Sequence, residues 1–272
     1  MPNSKTTLKK YYDSYAEGER LFTDLGQLEF ERTKLILNRF LPHPPAEVLD
    51  IGGATGVYSL WLARKGYRVH LIDQSEKLVQ QAKLTSKKQP AASIASFTVG
   101  DARSLDFPDN SVQVVLLFGP LYHLTVQKER LRALKEASRV LKNKGVLFTA
   151  AISRFASAID GFLNGYITDP IFKQIIEQDL ASGIHHNPTD NIMYFTDAYF
   201  HRPSELKKEI EHSEFKEVKI FPVEGIAALV SNFQEIWNDK RMQKYLLKII
   251  KLTENEPEII GVSPHLLGVA KK

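Results

Sequence analysis

Short apolar runs alternate with amphipathic segments through the first half of the chain. Apolar residues spaced three and four apart, as over 128–141, predict helices between the runs. Strands that alternate with helices at this spacing are typical of a parallel sheet with helices on both faces. The runs that predict these strands are Val48–Ile51, Tyr67–Asp73, Ser96–Val99, Val112–Phe118 and Gly145–Ala151.

The pattern changes on both sides of this region. Residues 4–40 have apolar positions mostly three or four apart and predict a helix, which the prolines after Phe40 stop. Later segments predict a helix from Ser204, a strand near 215–221 and a last strand at His265–Ala270.

The sequence therefore predicts one α/β domain over residues 1–272, because no linker-like change of composition divides it. Its core is expected to be a doubly wound, seven-stranded, mostly parallel, Rossmann-like sheet. The accessory segments are an N-terminal helical segment at 1–40, a helical cap at 154–200 and a second helical insertion at 227–252.

Composition narrows the classes of function. The chain has 272 residues, a net charge of +4 and no cysteine, which excludes disulfides, thiolate metal sites and cysteine nucleophiles. Its start lacks the apolar region of a secretory signal, and no apolar run is long enough to span a membrane, so we expect a cytoplasmic protein without a membrane partner. The basic residues are dispersed, which favours an ordinary solvated surface over a nucleic-acid-binding face.

The first candidate for chemistry is the loop after the first strand, Asp50-Ile51-Gly52-Gly53-Ala54-Thr55-Gly56. Glycines at a strand-to-helix turn let a ligand approach the backbone and the amides of the helix N-terminus. The spacing departs from the G-x-G-x-x-G of dinucleotide enzymes, and Asp50 would repel a pyrophosphate, so a nicotinamide dehydrogenase is disfavoured. The acid suits a ligand with a cationic amino group; the alternative is a tight structural turn.

Two further carboxylates follow neighbouring strands. Asp73 ends the second strand, where a carboxylate can accept both hydroxyls of a ribose, although it can also be a helix N-terminal acid beside Ser75. Asp101, in Gly100-Asp101-Ala102, can accept an adenine amino group, or it is an ordinary turn aspartate. Because the carboxyl ends of parallel strands meet at one edge, we expect Asp50, Asp73 and Asp101 to line that edge together.

Together these motifs resemble the class I S-adenosylmethionine-dependent methyltransferases, in particular the small-molecule type. Residues 50–56 match the family's cofactor loop, apart from Ala54, where the family more often has glycine. Gly119-Pro120-Leu121-Tyr122-His123 follows the fourth strand, where the family borders the transferring methyl group. Residues 265–271 resemble its antiparallel final strand, so the resemblance covers nearly the whole chain.

The resemblance implies S-adenosylmethionine as the cofactor, with S-adenosylhomocysteine as the product. It also implies that the N-terminal segment folds over the cofactor, where the planar fork of Arg20 can clamp the methionine carboxylate. The implied cofactor-binding residues are Tyr12, Arg20, Asp50, Gly52, Gly53, Gly56, Asp73, Gln74, Asp101, Ala102, Phe118 and Gly119.

The candidate catalytic residues are His123 and Tyr122. Histidine titrates near neutral pH, so His123 can orient or deprotonate an acceptor; alternatively it is a loop histidine bonded to backbone. In the cap, the adjacent His185 and His186 would point apart on a helix and lack the spacing of a metal motif, so no metal is expected, although one of them or His201 can reach an acceptor.

The aromatic-rich segment 154–200 favours a small, partly apolar acceptor, methylated on nitrogen, oxygen or carbon, over a polymer. A tRNA or other nucleic-acid methyltransferase is a disfavoured alternative, since the turn after strand four lacks the first polar residue of an Asn/Asp-Pro-Pro-aromatic motif. A non-catalytic cofactor-binding module is a third interpretation. The oligomeric state is expected to be monomer or homodimer.

Overall fold

The apolar runs of the first half form the strands of a mostly parallel sheet. The computed structural model describes residues 17–272. Its strands are β1 Glu47–Ile51, β2 Arg68–Asp73, β3 Ser96–Val99, β4 Val112–Leu117, β5 Leu141–Ser153, β6 Ile184–His185, β7 Ala198–His201, β8 Lys216–Pro222 and β9 His265–Lys271.

Among residues 17–272, two helices precede β1, and the others lie between successive strands. The helices are α1 Glu17–Arg20, α2 Asp24–Phe40, α3 Val57–Arg64, α4 Glu76–Lys87, α5 Pro120–His123, α6 Gln127–Val140, α7 Ala156–Leu163, α8 Pro170–Ser182, α9 Pro203–Glu211, α10 Phe233–Asn238, α11 Lys240–Thr253 and α12 Pro257–Ile260. Short 3₁₀ turns lie at Pro90–Ala92, Tyr166–Thr168, Ile192–Tyr194 and Gly225–Leu229.

The strand order is β3-β2-β1-β4-β5-β7-β6, and β9 pairs with both β5 and β8. Parallel register places Asp50 of β1 beside Leu71 of β2 and Leu116 of β4. Since β2 and β4 lie on opposite sides of β1, the chain reverses its winding direction there, and the crevice at the carboxyl ends is the usual ligand site of such sheets. The predicted fold class is confirmed.

Contacts divide the chain into two compact units, each with its own apolar core. The first, here called the sheet unit, comprises residues 37–150, 207–219 and 268–272; the helical unit comprises the described residues 17–36, 151–206 and 220–267. Leu60, Leu71, Val79, Ala82 and Ile94 form a core cluster of the sheet unit, and Leu28, Ala227, Phe233, Trp237 and Ile250 form one in the helical unit. The assignment of all 272 residues to one domain with insertions remains a prediction.

The expected single helix over 4–40 is wrong in its described part. The chain turns at Leu21–Thr23 between α1 and α2, and Asp24 adopts a φ of 43°. A Cβ at Gly26 would lie 2.0 Å from the carbonyl oxygen of Arg20, so the two backbones approach more closely than any side chain at 26 permits. The apolar spacing continues across the turn, which is why periodicity alone missed it.

The segment 154–200 is also less helical than expected. It contains β6 and β7, and β7 pairs in parallel with β5 at Ile152–Phe200 and Ser153–His201. Strands of two and four residues are too short to show alternation against the flanking helices. No helix in the described part of the chain is both long and apolar enough to cross a membrane.

Candidate functional site

The loop between β1 and α3 lies close to the backbone that follows β4. Gly52 has a φ of +77°, and a Cβ there would lie 2.3 Å from the carbonyl oxygen of Phe118. A Cβ at Gly53 would lie 2.8 Å from Cγ of Leu71. Both positions therefore exclude a side chain, Gly52 through its backbone conformation and the neighbouring strand, Gly53 through packing on β2.

Asp73 joins this loop to the end of β2. Its Oδ2 accepts a hydrogen bond from the Ala54 amide at 2.9 Å, and its Oδ1 accepts one from the Ser75 amide at 2.8 Å. The Gln74 amide also donates a hydrogen bond to this carboxylate. An ionised carboxylate has about four acceptor positions, so about one remains for a ligand. Burial raises the pKa of Asp73, and the backbone hydrogen bonds oppose that shift.

Asp50 is buried beneath the loop. Its Oδ2 accepts a hydrogen bond from Oγ of the buried Ser59 at 2.6 Å, whereas its Oδ1 has no hydrogen-bond partner among the described residues. Burial is the main cause that raises the pKa of Asp50 to about 7. The Ser59 hydrogen bond lowers this pKa, and repulsion from Asp73 raises it by a smaller amount. Sequence reasoning missed Ser59, which lies nine residues from Asp50 and has no motif signal.

Asp101 comes directly after β3 and is bound by Arg103, which sequence reasoning also missed. Nε of Arg103 donates to Oδ1 at 2.9 Å and Nη2 donates to Oδ2 at 2.5 Å, while Nη1 reaches Glu129 at 2.6 Å. These acids raise the pKa of Arg103 above its usual value. Ala102 is buried. The sheet unit therefore contains all three predicted carboxylates, at the ends of adjacent strands.

Tyr122 and His123 occupy a single helical turn, α5, after β4. Gly119 begins the turn with a φ of +112°, which accounts for a glycine before Pro120. The rings of Tyr122 and His123 contact edge to face, with centroids 4.6 Å apart. The structure thus brings both candidate catalytic side chains into contact. A Cβ at Gly119 would lie 3.7 Å from the Tyr122 hydroxyl and 3.9 Å from the Gly52 carbonyl oxygen, so this hydroxyl and the glycine loop both lie near Gly119.

The segment that follows α5 is held by Arg130 of α6. Arg130 donates through Nη1 to the carbonyl oxygens of Leu124 at 2.9 Å and Thr125 at 3.0 Å. Its Nη2 donates to Oε1 of Glu209 on α9 at 2.7 Å, and the two side chains are 1% and 5% exposed. A buried charge pair of this kind requires both partners, so Arg130 and Glu209 position the chain next to His123.

Arg20 lies in a charged network of the helical unit. It donates to Oε2 of Glu29 at 2.5 Å and to Oε1 at 3.0 Å, and Nδ1 of His265 lies 2.6 Å from Oε1 of Glu224. Burial opposes ionisation, but Arg20 and His265 hold the pKa of Glu29 at about 2. Against the same burial, Glu29 and Glu224 raise the pKa of His265 to about 9. Tyr12 lies outside the described residues.

This network also contains the group whose geometry best suits a cation among residues 17–272. One ligand atom from each of Glu29, Glu224 and His265 lies within 4.8 Å of the others. The positive charges of Arg20 and of protonated His265 already balance the two carboxylates, which makes the group an ion-pair network. The expected absence of a metal remains a prediction.

The cap histidines have separate surroundings. His185 is buried between Oδ2 of Asp179 at 2.8 Å and the carbonyl oxygen of Tyr194 at 2.8 Å, so both ring nitrogens meet acceptors. His186 is exposed and pairs with Asp197 at 2.7 Å. His201 is buried on β7. His185 therefore has a structural role in the cap, because both ring nitrogens are already hydrogen-bonded within the protein and neither is left to contact a methyl-acceptor substrate.

Comparisons with known proteins find similarity to methyltransferases. Residues 49–149 match the family model described as a methyltransferase domain. A ubiquinone/menaquinone biosynthesis C-methyltransferase from Rickettsia bellii is 30% identical over 166 residues, which cover 58% of this chain and 65% of that protein. The matched region thus spans less than two thirds of this relative.

Solved structures share the fold over most of the chain. An S-adenosylmethionine-dependent methyltransferase from Methanosarcina mazei is 22% identical, with a TM-score of 0.57, covering 87% of this chain and 96% of its own. One from Mesorhizobium loti is 15% identical, with a TM-score of 0.58, covering 90% and 100%. At identities this low, the structural match shows a shared fold only, and the chemistry has to be argued from the site.

Proposed function

We propose that this chain is a class I S-adenosylmethionine-dependent methyltransferase that transfers a methyl group from S-adenosylmethionine to a small, partly apolar acceptor. The observation that supports this most strongly is the arrangement of Asp50, Asp73 and Asp101. Asp50 is the second-last residue of β1, Asp73 is the last residue of the neighbouring β2, and Asp101 follows β3 after Gly100. Asp73 is also hydrogen-bonded to the glycine loop.

The residues present fit this cofactor. The unpartnered, buried Oδ1 of Asp50 is the acceptor that the cationic amino group of the methionine moiety would need. The remaining acceptor position of Asp73 suits a ribose hydroxyl. Because Gly52 and Gly53 have no side chains, we propose that the cofactor approaches the backbone of this loop. Gln74, Phe118 and Gly119 are proposed as further contacts. We also propose that Gly56, at the start of α3, presents the amides of that helix.

Asp101 and Ala102 are proposed to meet the adenine, through the carboxylate and the backbone amide. Arg103 already binds both oxygens of Asp101, so the exocyclic amino group would share that carboxylate with the guanidinium. The pairing orients the Asp101 carboxylate. Tyr12 and Arg20 are proposed contacts from the N-terminal segment, and Arg20 would have to exchange Glu29 for the methionine carboxylate.

S-adenosylmethionine, when bound, supplies a methyl group already activated by its sulfonium, so the protein mainly has to align the acceptor and exclude water. We propose that His123 takes the proton that the methyl acceptor loses and that Tyr122 orients the methyl acceptor. Arg130 and Glu209 position the chain immediately after this pair.

The acceptor class is proposed from the helical cap. Phe172 and Tyr194, with the neighbouring Tyr166, form the cap's own core, so they do not line a pocket. Other large apolar side chains of the cap remain exposed, among them Phe162 and Met193. The proposal of a partly apolar acceptor rests on the aromatic-rich sequence of 154–200, and the name of the Rickettsia relative keeps carbon beside nitrogen and oxygen as the acceptor atom.

The test is to incubate the protein with methyl-labelled S-adenosylmethionine and a metabolite extract, with purified tRNA as a separate arm, and to separate the products by size. We expect label in small molecules, loss of both binding and label with Asp73→Ala, and loss of turnover with retained binding for His123→Ala. Label in tRNA would favour the nucleic-acid alternative. Cofactor binding with no label in either arm would favour the non-catalytic module.

A further inference from the structure

Helix α11 of the helical unit has three distinct faces. The buried face packs Ile250, with the half-buried Leu246 and Leu247, against the cluster of Leu28, Ala227, Phe233 and Trp237. Two other faces follow the same three- and four-residue spacing and lie side by side on the outer surface. The basic face comprises Arg241, Lys244, Lys248 and Lys251, and the outer apolar face comprises Met242, Tyr245, Ile249 and Leu252.

The outer apolar face is open to solvent although the helix already buries another apolar face. Met242, Tyr245 and Leu252 are 45%, 57% and 65% exposed. A single exposed leucine is ordinary, but three large apolar side chains in one row along a helix indicate a surface that meets something apolar.

The basic face has no compensating acid. Helix α11 contains no aspartate or glutamate, and across the described residues no acidic side chain pairs with Lys244, Lys248 or Lys251. The acids at its two ends are occupied, since Asp239 caps the N-terminus and Glu254 pairs with the buried Arg32. The helix therefore presents a concentrated positive charge on a chain whose other charges are dispersed.

We propose that α11 binds the surface of an anionic lipid bilayer, with its outer apolar face in the boundary between headgroups and acyl chains. Such a surface matches both faces at once, because headgroup phosphates attract the lysines while the acyl region accepts the methionine, tyrosine and leucine. A nucleic acid would neutralise the lysines but leave Met242 and Leu252 without an apolar partner. The absence of a spanning helix does not bear on this, since an interfacial helix lies along the membrane. The proposal does not depend on the methyl-transfer activity.

The experiment is co-sedimentation of the full chain with phosphatidylcholine vesicles, with and without phosphatidylglycerol, at low and high salt. We expect binding only to the anionic vesicles, weakened by salt. A basic side chain near such a surface contributes about fivefold in affinity, so Lys244→Gln combined with Lys248→Gln should weaken binding about thirtyfold. Tyr245→Ser combined with Leu252→Ser should weaken it by at least tenfold.

Matched controls lie on α4 of the sheet unit. Lys83 and Lys87 are exposed at the same four-residue spacing, and Leu84 is 60% exposed. Lys83→Gln with Lys87→Gln, and Leu84→Ser, should leave binding within twofold of the wild type. All substituted side chains are exposed, so circular dichroism should show unchanged folding.

Three results would overturn the proposal. The first is no binding of the wild type to anionic vesicles at low salt. The second is an equal loss of binding in the α4 and α11 variants, which would indicate diffuse electrostatic attraction. The third is a solution mass of a dimer that falls to a monomer with Tyr245→Ser and Leu252→Ser, which would show that a second copy of the chain covers this face.

Discussion

Replacing Asp73 with alanine tests the proposed cofactor site most directly. The carboxylate uses three of its four or so acceptor positions on the amides of Ala54, Ser75 and Gln74 and has about one left for a ribose hydroxyl. Hydrogen bonds to a charged group contribute about 1.5–3 kcal/mol each. One such bond should therefore account for about a 10 to 10²-fold loss in the binding of S-adenosylhomocysteine by Asp73→Ala.

Isothermal titration calorimetry with S-adenosylhomocysteine measures this loss. Asp106→Ala is the matched control, because Asp106 is an exposed acid of the same unit and its removal changes the net charge equally. A loosened glycine loop would also weaken binding, so the titration is repeated with an analogue that lacks the 2′-hydroxyl. The analogue should bind the wild type more weakly than S-adenosylhomocysteine does. The two compounds should bind Asp73→Ala with the same affinity. A dissociation constant for Asp73→Ala within threefold of the wild type would refute the assignment.

Three further predictions concern stability, measured by urea unfolding. Ala54→Gly should raise the free energy of unfolding by up to about 1 kcal/mol, because Ala54 has a φ of 46° that alanine disfavours; a loss of stability would contradict this. Arg130→Met should cost about 3–5 kcal/mol by leaving Glu209 buried without its partner, and adding Glu209→Leu should recover at least half; additive losses would show that the pair is not coupled. The pKa of His265 is raised from 6.5 to about 9, so its stabilisation is complete below pH 6.5 and is lost as pH rises through 9. Between pH 7 and 10 the free energy of unfolding of the wild type should therefore fall by about 1–3 kcal/mol more than that of His265→Gln. Parallel curves of unfolding free energy against pH would contradict the prediction.

The sequence by itself determined the sheet and most of the proposed cofactor site. A parallel strand buried on both faces is a largely apolar run, so β1 and β4 were recognisable from single segments. The carboxyl ends of the parallel strands share one edge by topology, and this placed Asp50 and Asp73 on it before any contact was known. The glycine loop was recognisable because its chemistry lies within seven consecutive residues.

Only the tertiary structure decided which partners the charged side chains have. Arg130 meets Glu209 across 79 residues of sequence, and Arg32 meets Glu254 across 222. Arg20 was likewise expected to contact a ligand, but the structure pairs it with Glu29. Periodicity records which face of an element is buried, but it does not record which element packs against that face. The partner of a buried charge depends on that packing, and so it was settled only when the whole chain had folded.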